Sequence, residues 1–208
     1  MEKLLDEIES LKNSSARKVV DSRMQQFKEL GEKSADEIFG ELCFCIMTAN
    51  FNAQRSIDIQ NSMGCRFCKL GEKELAAKLK EGGHRFPEAR ARYIVEARKH
   101  LPTLKEVLSK FGSEAELRSW LAENVRGLGY KEASHFMRNI GFTDVAIIDF
   151  HIVDLLVRHG IVERSKTLTP KRYLETESVL RDIGKKVGLN LAELDLYLWY
   201  METGKILK

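Results

Sequence analysis

The sequence predicts an all-α fold, a two-lobed bundle of about ten helices. Three observations carry this. Helix-start signals recur along the whole chain, and apolar residues between them fall three and four apart. Strand character is confined to one four-residue run, Val145-Ala-Ile-Ile148, too short to define a sheet. The 208 residues contain only three prolines.

Taken in order, Leu4, Leu5, Ile8 and Leu11 form a first apolar stripe. Ser34 to Glu37, Thr103 to Glu106, Ser113 to Glu116 and Asn190 to Glu193 each have the spacing of a capping box, in which side chain and backbone satisfy each other at a helix start. Pro87 opens a helix over Glu88 to Lys99, and Thr169-Pro170 pairs a capping hydroxyl with a proline at the first helical position. Leu174, Val179, Leu180 and Ile183 form another core stripe, and Leu191, Leu194, Leu196 and Leu198 imply a helix with a broad buried face. Gly82-Gly83 and Gly112 mark turns, and no repeat or low-complexity linker interrupts the chain. Residues 1–208 therefore read as one unit.

Hydrophobic residues make up 43% of the chain, enough for a true core. The formal charge of +3 permits a basic face without requiring one. The N-terminus lacks the apolar region of a signal peptide and no segment is long enough for a membrane span, so a soluble intracellular protein of cytoplasm or nucleoid, with reduced cysteines, is expected. Cys65-Arg-Phe-Cys68 has no second pair at zinc spacing, Cys43 and Cys45 fall on a helix that reads as buried, and the five histidines form no ligand set. Neither metal nor cofactor is implied.

The chemistry-bearing pattern begins at Val125-Arg-Gly-Leu-Gly-Tyr-Lys-Glu-Ala133. Gly127 and Gly129 allow a tight turn between two helices and leave backbone N–H groups at a helix start, where a phosphate is favoured. Residues 117–140 thus read as a helix–hairpin–helix motif that grips a DNA strand by its backbone. Taken alone, the two glycines fit a structural turn equally well. Lys131 falls in the first turn of the second helix, where the helix dipole disfavours a cation and partial burial would add to the effect. An amine weakened in this way is a usable nucleophile, whereas an exposed surface lysine is the plain alternative. Asp149, 18 residues further on, is delivered by an apolar run to the start of a helix over Phe150 to Arg158. A carboxylate there is held ionised by free N–H groups, a capping role compatible with catalysis.

The hairpin, lysine and aspartate at this spacing resemble the helix–hairpin–helix–Gly/Pro–Asp superfamily of DNA glycosylases. Glu41-Leu-Cys-Phe-Cys-Ile-Met-Thr-Ala-Asn50-Phe, Gly83-His-Arg-Phe86, Gly129-Tyr-Lys-Glu-Ala-Ser-His-Phe136, Leu194-Asp-Leu-Tyr-Leu-Trp199-Tyr and Thr203-Gly-Lys-Ile-Leu-Lys208 resemble its archaeal-type 8-oxoguanine DNA glycosylase/AP lyase branch, over nearly the whole chain. The chain departs from the superfamily pattern at Arg126 and Thr143-Asp144, where prolines are frequent, and it lacks the C-terminal cysteines of the iron–sulfur branch.

The resemblance implies an active site in the cleft between lobes and excision of 8-oxoguanine from double-stranded DNA by a monomer. Lys131 would attack the sugar and Asp149 would stabilise the developing charge. Gly127, Gly129 and His151 would meet the DNA backbone. Asn50 would fill the gap left by the flipped base, or cap a helix end. Phe51 would wedge beside it, or pack in the core. Trp199 would cover the base, or pack. Lys208, with its ammonium and α-carboxylate, would tell 8-oxoguanine from guanine, or fray. Phe86 and Met137 would line the pocket, or fill the core, and His135 would pack one turn along the Lys131 helix. A glycosylase for another lesion, such as oxidised pyrimidines, and a non-catalytic hairpin module are the alternatives. The second leaves the pairing of Lys131 with Asp149 unexplained.

Overall fold

The computed structural model describes residues 1–164 and 167–208, and every regular element among them is helical. In chain order these are α1 (Glu2–Lys12), α2 (Ala16–Glu32), α3 (Ala35–Thr48), α4 (Ala53–Met63), α5 (Glu72–Glu81), α6 (Pro87–Ala97), α7 (Leu104–Lys110), α8 (Glu114–Asn124), α9 (Tyr130–Asn139), α10 (Phe150–Arg158), α11 (Pro170–Val187) and α12 (Leu191–Thr203). Short 3-10 segments, Gly64–Cys68 and Arg98–Thr103, follow α4 and α6. No described helix is long and apolar enough to cross a membrane.

The starts follow the capping chemistry with two differences. Ser34 and Asn190 form complete capping boxes, and Thr169 and Ser113 each accept a backbone N–H. The Glu116 carboxylate, however, reaches past Ser113 to the N–H of Gly112, 3.2 Å away. Thr103 makes no cap because a 3-10 turn runs straight into α7, and Leu104 N–H is already bonded to Leu101. Leu174 is also corrected. It is exposed, since the buried face of α11 runs through Tyr173, Leu180, Ile183 and Val187, about 100° to 180° around the helix from it.

The core has two main parts. In the first, α3 is buried on all sides from Leu42 to Thr48 and packs against α4, α6, α7 and α9. In the second, Leu4 and Ile8 of α1 meet Ile152 and Leu156 of α10, Leu180 and Ile183 of α11, and Leu194 and Leu198 of α12. A smaller cluster joins Val20 and Phe27 of α2 to Leu196 and Tyr197. Helix α12 therefore buries opposite faces against different neighbours, which explains its apolar character all round.

The Val145–Ile148 run is not a strand. All four residues are buried, but with no strand beside them their backbone groups bond to side chains. Ala146 N–H donates to Glu177 at 2.8 Å, Tyr173 hydroxyl donates to Ala146 O at 2.7 Å, and Ile148 N–H donates to that hydroxyl at 3.2 Å. Just upstream, Glu114 accepts the N–H groups of Thr143 and Asp144. Buried Arg118 pairs with Glu177, so the carboxylate holding this segment is itself neutralised.

Candidate active site

The turn between α8 and α9 has the expected form. Gly127 adopts φ +95°, and a Cβ there would come 2.7 Å from the Tyr93 ring, so both conformation and space demand glycine. Gly129 is the N-cap of α9 with an ordinary φ of −99°. Its N–H is not free, as the sequence suggested, but donates to the Glu132 carboxylate at 3.2 Å. Lys131, second residue of α9, is half-buried, with its amine 3.8 Å from Glu132. Asp149 is the N-cap of α10, and its Oδ1 accepts the N–H of Ile152 at 3.0 Å. The side-chain-braced segment 145–148 brings this carboxylate to the same place as Lys131.

That place is a cavity of about 480 Å³, lined by Lys131, Asp149, His151, Trp199 and Lys208 together with Phe51, His135, Arg138 and Asp195. Lys131, His135 and Arg138 follow one another by four and three residues, which is one face of α9. Asp195 and Trp199 have the same relation on α12. The Trp199 ring meets His151 edge to face with centroids 5.6 Å apart. The ammonium of Lys208 lies 2.8 Å from buried Glu41, bonds to Gln60, and stands 4.3 Å from the centre of the Phe44 ring.

Two expected lining residues lie elsewhere. Met137 is fully buried in the core, because on α9 it points away from the face that carries Lys131 and His135. Phe86 is exposed outside the cavity, with the guanidinium of Arg85 5.0 Å over its ring. Asn50 is exposed next to the rim residue Phe51, and its φ of +57° makes it the one left-handed non-glycine residue among those described. It makes no capping bond among the described residues. Its neighbours are fixed: Arg90 donates to Ala49 O at 2.6 Å, and Phe51 stacks on His84 at 4.1 Å. His84 is itself tied to Met47 O at 3.0 Å and to the N–H of Phe86 at 3.0 Å. Asn50 is thus presented at the tip of a braced turn. All four cysteines are free thiols.

The electrostatics of the cavity are uneven. Burial, then the charges of Arg138 and Lys131, hold the His135 imidazole well below its ordinary range, against a smaller opposing pull from the backbone of Lys208. Burial also pushes the Asp195 carboxyl up to about 6, against the pull of its partner Arg138 and with the help of Asp149. The sequence reading missed Asp195 and Arg138 as site residues. A lone acid between Leu194 and Leu196, inside an apolar run, was the available signal.

Fold and site together define a helix–hairpin–helix protein with an amine and a carboxylate at two helix starts in one cleft. The family model described as 8-oxoguanine DNA glycosylase matches residues 20–189. The chain is 53% identical, over 99% of its length and 98% of the relative's, to an 8-oxoguanine DNA glycosylase/AP lyase of Korarchaeum cryptofilum. It superposes with a TM-score of 0.96 on the Methanocaldococcus jannaschii 8-oxoguanine glycosylase/lyase in complex with a 15mer DNA containing 8-oxoguanine, at 50% identity over 99% of this chain and 100% of that one. The 8-oxoguanine DNA glycosylase of Thermotoga maritima superposes with a TM-score of 0.93, at 43% identity over 100% of this chain and 99% of that one. The chain belongs to the 8-oxoguanine DNA glycosylase family.

Proposed function

We propose that this protein removes 8-oxoguanine from double-stranded DNA and then cuts the strand at the resulting abasic site, acting as a monomeric unit of residues 1–208. The observation that carries the mechanism is the placement of Lys131 and Asp149 on one cavity. A base inside a duplex cannot reach such a cavity, so the nucleotide must be flipped out. The neutral amine of Lys131 attacks C1′ while the glycosidic bond breaks and the base leaves with the bonding electrons, taking up a proton. Asp149, oriented by the N–H of Ile152 on its Oδ1, stabilises the positive charge spreading over the sugar. The sugar ring opens to a lysine Schiff base. Loss of the C2′ proton then expels the 3′ phosphate, and water releases the enzyme.

The surroundings have roles in the same reading. Gly127 and Gly129 shape the turn that receives the DNA backbone, and His151 meets phosphate at the cavity mouth. Asn50 fills the vacated stack beside Phe51. Trp199 covers the flipped purine, and Lys208, clamped by Glu41 and Gln60, contributes to lesion recognition. Borohydride reduction in the presence of 8-oxoguanine duplex tests the core of this proposal. Wild type yields a covalent protein–DNA adduct and Lys131→Gln yields none. An adduct from the variant refutes the assignment of the nucleophile. Asp149→Asn is expected to lower single-turnover excision about 10²- to 10³-fold with DNA affinity changed far less. Equal losses in rate and affinity would reduce the residue to a helix cap.

A further inference from the structure

Cys65 and Cys68 take no part in the chemistry above, and neither lines the cavity. Both lie in the 3-10 segment Gly64–Cys68. Residues three apart in a 3-10 helix eclipse one another, and a rise of about 2 Å per residue sets their Cα atoms about 6 Å apart. A disulfide spans Cα separations of about 4.4–6.8 Å, so the backbone already holds the two cysteines within bonding reach. The segment is fixed in that shape. Phe67, between the two, is fully buried in the core, and its carbonyl accepts Arg98 Nε at 2.8 Å. Arg66 donates back to Met63 O at 3.1 Å, and the N–H groups of Lys69 and Leu70 both donate to Arg66 O at 3.0 Å.

The two thiols differ in their surroundings. Cys65 is exposed, whereas Cys68 is half-buried and packs against the core cluster that holds Cys43. Burial pushes the Cys68 thiol up, Asp36 adds to this, and the charge of Arg98 opposes it. Arg98 Nη2 is buried with no hydrogen-bond partner among the described residues, so Arg98 has donor capacity to spare for a thiolate forming on Cys68. Cys43 and Cys45 are fully buried, and burial raises both thiols well above their ordinary range, which leaves them inert. We propose that Cys65 and Cys68 form a peroxide-reactive dithiol, a reversible modification site outside the catalytic cavity, with Cys65 as the attacking thiol and Cys68 as the resolving one. The Cys65 Sγ, as thiolate, attacks one oxygen of hydrogen peroxide, the O–O bond breaks, and the departing hydroxide takes up the thiol proton to leave as water. Cys68 Sγ then attacks the sulfenic acid on Cys65. The S–O bond breaks, the S–S bond forms, and a second water leaves with the Cys68 proton. The two thiols supply the two electrons that reduce the peroxide. Oxidation therefore stops at a disulfide that small thiols reduce, instead of running on to the sulfinic and sulfonic acids of Cys65.

Titration of the full chain with hydrogen peroxide, read by intact mass and by peptide mapping after alkylation, tests it. Wild type should lose about 2 Da, map to a single Cys65–Cys68 bond, and regain the mass with dithiothreitol, while Cys43 and Cys45 stay reduced. Cys68→Ser should instead gain about 32 or 48 Da on Cys65, and dithiothreitol should not remove it. Cys65→Ser should form no disulfide and react with peroxide at least about tenfold more slowly than wild type. A wild type left unchanged by peroxide, or one that gains oxygen without closing the bond, overturns the proposal. So does a disulfide to Cys43, to Cys45 or between two chains, and so does a Cys68→Ser adduct that dithiothreitol fully reverses. If Cys68→Ser does not fold, the wild-type map and the Cys65→Ser rate decide by the same criteria.

Discussion

At the scale of single residues, the hairpin glycines are not equivalent. Gly127 is held at a positive φ against the Tyr93 ring, whereas Gly129 has an ordinary backbone and its Cβ would meet only the flexible end of Glu132 at 3.3 Å. Gly127→Ala is expected to cost about 1–3 kcal/mol and to weaken DNA binding for any sequence, while Gly129→Ala costs about 1 kcal/mol or less. Denaturant unfolding of the two variants checks this, and equal costs would contradict the assigned geometry. Asn50 shows the reverse case, a left-handed position given to a residue with a functional side chain. Asn50→Gly should leave stability within about 1 kcal/mol while slowing excision from duplex DNA more than about tenfold. A variant with unchanged excision would return Asn50 to a purely conformational role.

At the scale of elements, Asp149 depends on residues distant in sequence. The segment before it looks like a strand by composition, yet its backbone is held by Glu177 and Tyr173 of α11, and the two residues upstream of it by Glu114 of α8. Glu177→Ala removes the acceptor of Ala146 and leaves Arg118 as an uncompensated buried cation, at a cost of about 3–5 kcal/mol. Tyr173→Phe deletes the hydroxyl that serves both Ala146 O and Ile148 N–H, at about 1–3 kcal/mol. Tyr173→Phe should also lower kcat more than it raises KM, because the Asp149 carboxylate loses its fixed position. Calorimetry with single-turnover kinetics distinguishes this from plain destabilisation, for which activity per folded molecule would stay constant.

At the scale of the whole molecule, buried titratable groups set the pH response. Burial holds His84, His100 and His135 below the ordinary imidazole value of 6.5. As pH falls through that value the unfolded chain takes up protons that the native state resists, so the native state loses stability on the acid side. Asp195 acts in the opposite sense. Its carboxyl, raised from 3.8 to about 6, takes up a proton earlier in the native state and offsets part of the loss. Glu114, raised by burial, acts in the same sense as Asp195, so three imidazoles stand against two carboxyls; the melting temperature is expected to fall between about pH 7 and pH 5, and His135→Phe should flatten the fall. A wild-type melting temperature that rises over this interval would contradict the burial of these rings. The sequence by itself determined the helical class, most helix starts, the hairpin and the position of Lys131 and Asp149 each at a helix start, because periodicity, capping and glycine chemistry are local. Only the tertiary structure decided that Val145–Ile148 is braced by side chains, that Met137 belongs to the core, that Gly129's N–H is taken by Glu132, and that Asp195 and Arg138 face the cavity. Those outcomes depend on which surfaces meet across long chain separations, and on where the partners of buried polar groups lie, neither of which is written in local spacing.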